Sequence, residues 1–199
     1  MLNIALFGTS ADPPTAGHQR ILVWLSHQFD WVAVWASDNP FKSHQTPLEH
    51  RMAMLQLLID DIQPPRQNLQ VHPELSCSRT IHTVELAYQR WKDARFTLVI
   101  GSDLVYQLPS WYRVEVLFEQ VNWLVIPRPG YPVNDLALAE LRRRGAKVAI
   151  ADLMGLDTSS TAYRERGNTD GLTPPIEDYI HREQLYRCQE ESRERQPIR

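Results

Sequence analysis

The chain has 199 residues, 43% of them hydrophobic, enough to bury one core of ordinary size, so a single domain is expected and a second is not. A formal net charge of -3 argues against a surface that tracks a nucleic-acid backbone, and any phosphate site must therefore be local. Two cysteines, Cys77 and Cys188, without C-x-x-C spacing exclude a disulfide framework and a zinc knuckle and fit a reducing cytoplasm; no basic leader opens the chain, and no stretch approaches the roughly 18 apolar residues of a membrane helix.

In chain order, residues 2–7 (LNIALF) read as a core strand ended by Gly8, where small residues let backbone N–H groups approach a ligand. The run Gly8-Thr9-Ser10-Ala11-Asp12-Pro13-Pro14-Thr15-Ala16-Gly17-His18 then leads into an amphipathic helix from His18 onward. A helix N-terminus supplies free N–H groups and a positive dipole end for phosphate, and His18 can add a ring N–H. Taken alone, the spacing also fits an ordinary βα turn with an incidental histidine.

Residues 31–36 form the second predicted strand, and Asn39-Pro40-Phe41-Lys42 follows it, where Lys42 is either a phosphate contact or a solvated charge. Thr46-Pro47-Leu48-Glu49 predicts a helix with Thr46 as N-cap, Pro47 at the first helical position and Glu49 closing a capping box, with Leu48, Met52, Leu55, Ile59 and Ile62 facing the core. A third strand is expected over 69–72 and a helix over 80–91. The fourth strand, 96–100, runs into Gly101-Ser102-Asp103, where the carboxylate either accepts from ribose hydroxyls or caps the next helix. Trp111 offers a π-face for an aromatic ring, although any one of six tryptophans belongs by default to a core or a surface.

Helices over 114–120 and 135–144 flank strands over 122–126 and 147–151, and Arg142-Arg143-Arg144 reads as a solvated helix end beside Gly145. Thr158-Ser159-Ser160-Thr161-Ala162-Tyr163-Arg164 gathers hydroxyls at a helix start with an arginine one turn in, which suits either a plain cap or a second anion site. A last helix over 176–187 precedes a charged tail, so the domain is placed at 1–188 and the tail at 189–199. His27, His44, His50, His72, His82 and His181 lack metal-ligand spacing, and no metal site is assigned.

Alternating strands and helices imply an α/β, Rossmann-like doubly wound parallel sheet in one domain, with strands one and four adjacent where the winding reverses. Ligands then bind outside the carboxyl ends of those strands. Neither G-x-G-x-x-G nor G-x-x-x-x-G-K-[ST] occurs, which removes support from a redox Rossmann enzyme and a P-loop NTPase.

The motifs together resemble the nucleotidyltransferase superfamily, and within it most closely the bacterial nicotinate-nucleotide adenylyltransferase family. Its G-G-[ST]-F-D-P…[HT]-x-G-H signature meets Thr9 in place of glycine, Ala11 in place of phenylalanine and Thr15 in place of the commoner histidine. P-P-H-[KR] meets Asn39 and Phe41 before Lys42, S-Y-T-x meets Ser78-Arg79-Thr80-Ile81, and I-S-S-T-x-[IV]-R meets Thr158–Arg164 with Thr158 and Tyr163 as departures. Residues 126–131 resemble its R-P-G-Y stretch, and 174–187 its V-x-x-Y-I…L-Y-R ending.

The resemblance implies transfer of AMP from ATP, with Mg²⁺ arriving on the ATP, to nicotinate mononucleotide, a pyridine mononucleotide, in the cytoplasm and without nucleic acid or membrane. It implies catalysis by His18, Arg164 and Thr15, and ATP contacts from Gly8, Thr9, Ser10, Gly17, Gly101, Asp103, Ser159, Ser160 and Thr161. Acceptor contacts fall to Lys42, Thr80, Ile81, Trp111 and Tyr112, with Trp111 stacking the nicotinate ring, and Arg79 in place of tyrosine bears on acid against amide acceptors. The competing expectations are adenylyl transfer to nicotinamide mononucleotide or phosphopantetheine, and a non-catalytic nucleotide-binding module.

Overall fold

A computed structural model describes residues 1–38, 45–153 and 160–186. Among them a parallel sheet runs in the order β3-β2-β1-β4-β5-β6, built from β1 (Leu2–Thr9), β2 (Trp31–Ala36), β3 (Leu69–Val71), β4 (Ala94–Gly101), β5 (Asn122–Ile126) and β6 (Lys147–Ile150). The order reverses between β1 and β4, whose register pairs Leu2 with Ala94 and Leu6 with Leu98, while β1 pairs with β2 from Ile4–Trp31 to Thr9–Ala36. The expected doubly wound topology is therefore present, with β1 and β4 ending side by side.

Central strands read as continuous apolar runs because helices cover both faces. Ile4, Ala5, Leu6 and Phe7 are all buried, as are Val32 to Ala36 and Leu98 to Ile100. Each large aliphatic side chain so placed stabilises the fold by about 1.5–3 kcal/mol relative to exposure. The outer strand β6 is mostly exposed, and its alternation is correspondingly weak.

The helices are α1 (Ala16–Gln28), α2 (Leu48–Asp60), α3 (Thr80–Arg90), α4 (Val114–Gln120), α5 (Asp135–Arg143), α6 (Ser160–Arg166) and α7 (Pro174–Arg182). α2 starts one residue later than expected, with Pro47 rather than Thr46 as N-cap: Pro47 has ψ 144°, so its fixed φ sets the entry while its backbone stays outside the helix. Met52, Leu55, Ile59 and Ile62 are buried as expected and Leu48 only half-buried; Met54 and Leu58 widen the buried face to more than one stripe. α5 is capped by Asn134, whose side-chain oxygen accepts from Leu136 N–H at 2.8 Å, and it stops at Gly145, whose φ of +98° glycine adopts without strain.

α7 runs from Pro174 to Arg182 instead of over 176–187, because the prolines occupy its first turn, where no N–H is needed. Gln184 and Tyr186 have φ of +55° and +66°, which turns the chain back and carries Tyr186 to the β1 turn. Residues 187–199, which take in the whole of the expected tail at 189–199, lie outside the described residues. Among the described residues no helix is long and apolar enough to cross a membrane.

Candidate active site at the β1–β4 crossing

β1 ends at Thr9, and the turn that follows is held from several sides. Gly8 is required by packing as well as by any phosphate: a Cβ there would meet Cε2 and Cζ2 of buried Trp35 at 2.6 Å. Ala11 adopts φ +47° and is fully buried, so the position expected to carry a phenylalanine instead places a methyl group inside a left-handed bend. Arg51 of α2, 2% exposed, donates from Nη1 to the carbonyls of Ser10 (3.0 Å) and Ser37 (2.8 Å) and from Nε to that of Thr46 (2.8 Å). A guanidinium's planar fork of donors suits three converging carbonyls. Nothing in the helical pattern singled Arg51 out, since one arginine in an amphipathic helix ordinarily faces water.

Thr15 caps α1, and its backbone N–H donates to Nδ1 of His18 at 3.1 Å, with the Thr15 hydroxyl 2.9 Å from the same nitrogen. His18 thus occupies the place of the carboxylate in a capping box. Because Nδ1 accepts, the ring proton sits on Nε2. Burial, helped by the nearby Arg128 guanidinium, pushes the His18 pKa down to about 4. At neutral pH the ring is an uncharged Nε2–H donor.

At the end of β4, Asp103 accepts from Nη1 of Arg128 at 3.0 Å. Its other carboxylate oxygen is buried and has no hydrogen-bond partner among the described residues. That oxygen lies 2.3 Å from where a Cβ on Gly101 would stand, so glycine is the residue that lets the carboxylate fold back. Among the described residues neither Asp103 carboxylate oxygen takes a backbone N–H of the short 3-10 turns at 102–104 and 108–110. Ser102 donates to the Tyr131 carbonyl (2.7 Å) and accepts from Arg128 N–H (3.0 Å), tying the R-P-G-Y segment to this end of β4.

The late hydroxyl cluster reaches the same place. Ser160 donates to the Pro13 carbonyl at 2.7 Å, Arg164 donates to the Asp12 carbonyl, and Arg164 Nη2 lies 3.3 Å from the Thr161 hydroxyl. Tyr186 donates to the Asp12 carboxylate at 2.7 Å; burial and that carboxylate push its pKa far up. Ser159 and Lys42, both expected here, lie outside the described residues. Arg51, Arg128, Asp12 and Tyr186 were assigned no role from sequence, because each acts through contacts between segments far apart in the chain.

Thr80 and Ile81 open α3, where His82 and Thr83 N–H groups already bond the Arg79 carbonyl and those of Thr80 and Ile81 have no partner within the helix. The Ile81 side chain is buried in the core, so only its backbone can touch an acceptor. Trp111 is half-buried, edge-on to Trp123 at 6.2 Å between centroids, and Tyr112 is exposed. Two surface cavities, one lined by Tyr88, Phe96 and Gln120 and the other by Phe29, Trp123 and Arg142, lie at the opposite, amino-terminal edge of the sheet.

The cytidylyltransferase-like family profile matches residues 6–166. A Synechocystis sp. protein named "probable nicotinate-nucleotide adenylyltransferase" is 40% identical, over 94% of this chain and 100% of its own. The nicotinate-nucleotide adenylyltransferase of Bacillus subtilis is 28% identical, over 94% of this chain and 99% of its own. The structure of Plasmodium falciparum nicotinic acid mononucleotide adenylyltransferase complexed with NaAD superposes with a TM-score of 0.80 at 19% identity, over 94% and 98% of the two chains, and so shares the fold. The chain belongs to the cytidylyltransferase-like family and, within it, to the nicotinate-nucleotide adenylyltransferases.

Proposed function

We propose that this chain transfers AMP from ATP to nicotinate mononucleotide at the β1–β4 crossing, giving nicotinate adenine dinucleotide and pyrophosphate in NAD biosynthesis. The observation that carries this reading is the docking of Ser160 and Arg164 onto the Pro13 and Asp12 carbonyls, one short turn from His18. Two anion-binding elements from opposite ends of the chain then face one triphosphate.

An oxygen of the acceptor phosphate attacks the α-phosphorus in line, the bond to the β-phosphate bridging oxygen breaks, and pyrophosphate leaves with that electron pair. A phosphate monoester has a second pKa of about 6, so it is largely dianionic at neutral pH and no general base is needed. The protein's task is alignment and charge stabilisation. His18, held by Thr15, directs its Nε2–H at the α- and β-phosphates; Arg164 with Ser159, Ser160 and Thr161 holds the leaving pyrophosphate. Gly8, Thr9, Ser10 and Gly17 bring backbone groups close to the phosphates.

Asp103, partly exposed beside Arg128, accepts from a ribose hydroxyl through its outer carboxylate oxygen. Mg²⁺ enters with ATP, as part of the substrate. Trp111 stacks the pyridine ring, backbone N–H groups of Thr80, Ile81 and Tyr112 meet its carboxylate, and Lys42 meets the acceptor phosphate.

The test is to incubate the purified chain with ATP, Mg²⁺ and, separately, nicotinate mononucleotide, nicotinamide mononucleotide or phosphopantetheine, identifying products by mass and measuring pyrophosphate. A dinucleotide made chiefly from the nicotinate acceptor is expected. Preference for another acceptor overturns the substrate, and no pyrophosphate from any of them overturns the enzyme.

A further inference from the structure

A single backbone N–H donates to a carboxylate oxygen and to an amide oxygen alike; donors that meet both oxygens already disfavour the carboxamide NH2, and a positive side chain adds to that discrimination. Net charge at the ring substituent separates them well. Where the start of α3 meets the Trp111–Tyr112 segment, one side chain can supply it. Arg79 is exposed, and its guanidinium carbon lies 5.2 Å from the centroid of the Tyr112 ring, a cation–π contact that joins the two acceptor segments.

The other charges at this junction are already engaged. Glu85 lies 3.0 Å from His82 and 3.9 Å from Arg113. Among the described residues Arg79 pairs with no carboxylate, so the junction keeps an uncompensated positive charge over the Tyr112 ring, next in the chain to Trp111. Stacking on Tyr112 also restricts a flexible side chain beforehand, which lowers the entropy lost when it takes a ligand, and a guanidinium presents a fork that matches a planar carboxylate.

We propose that Arg79 is the specificity-determining residue of the acceptor site: its guanidinium receives the carboxylate of the nicotinate ring and makes no comparable contact with a neutral carboxamide. The inference rests on the acceptor site being at Trp111 and Tyr112, as proposed above. Since the contact is electrostatic and only partly shielded, ionic strength weakens binding of the acid acceptor more than that of the amide, whose phosphate contacts are screened equally.

The experiment measures kcat/KM for nicotinate and nicotinamide mononucleotides in the wild type, Arg79→Gln and Arg79→Lys, at low and high salt. Loss of a charge-assisted contact predicts that Arg79→Gln lowers kcat/KM for the acid acceptor about tenfold or more, chiefly through KM, and leaves the amide acceptor within about threefold. Arg79→Lys is expected to retain part of the selectivity. An unchanged acid-to-amide ratio in Arg79→Gln, or an equal fall for both acceptors, overturns the role of Arg79 and leaves the proposed function standing. Failure of the wild type to adenylylate nicotinate mononucleotide overturns the function and this inference with it.

Discussion

Single atoms decide much of this site. Gly8 tolerates no side chain because Trp35 fills the space a Cβ needs. Gly8→Ala is expected to cost about 1–3 kcal/mol by overpacking. Trp35→Val combined with Gly8→Ala should cost less than the two single changes added, a coupling that urea denaturation of the four proteins measures. Additive losses would show that the two residues do not compete for space. A glycine closing the first strand was legible in the sequence, but its packing partner was not, since Trp35 sits on a different strand. The neutral His18 was equally hidden: its type and place were readable, whereas its tautomer and lowered pKa follow from Thr15, Arg128 and burial together.

At the scale of elements, the turn after β1 depends on α2 more than on its own sequence. Arg51 ties Ser10, Ser37 and Thr46 together, so it fixes the end of β1, the end of β2 and the entry to α2 at once. Arg51→Ala leaves three carbonyls without their donor and is expected to destabilise the fold by about 3 kcal/mol while raising the KM for ATP. Arg51→Lys, which cannot span three acceptors, should recover less than half of the loss. A thermal melt of both variants checks this, and an unchanged midpoint in Arg51→Ala would contradict it. Strands and the long helices were readable because periodicity is a local property: residues 31–36 and 122–126 match β2 and β5 end to end. Helix ends were less so, as at Pro47 and Arg182, where proline geometry and tertiary contacts set the boundary.

Across the whole molecule, the sheet order β3-β2-β1-β4-β5-β6 brings the ends of β1 and β4 together at the point where open α/β sheets generally take ligands. The doubly wound sheet and the adjacency of its first and fourth strands were legible from the alternation of strands and helices; the return of Tyr186 to Asp12 was not, because left-handed residues at Gln184 and Tyr186 turn a segment that looks helical.

Proton linkage also belongs to this scale. His18 has a folded pKa of about 4 against an ordinary 6.5, and burial pushes His72 down as well. Above pH 6.5 neither ring takes a proton in either state, so they contribute no pH dependence. As pH falls from 6.5 towards 4 the unfolded chain binds protons that the folded chain refuses, and stability is lost. His18 accounts for about 1–3 kcal/mol of that loss, discounted for the part of its ring that reaches solvent. Urea midpoints at neutral pH and near pH 4.5 should therefore differ more in the wild type than in His18→Gln; equal differences would refute the linkage.

The most direct measurement is the turnover of His18→Ala at saturating ATP and acceptor, beside the affinity of the same variant for ATP. A fall in kcat of about 10²–10³-fold with ATP affinity within about threefold is expected of a donor aimed at the transition state. Unchanged turnover would contradict the placement of the chemistry at the β1–β4 crossing.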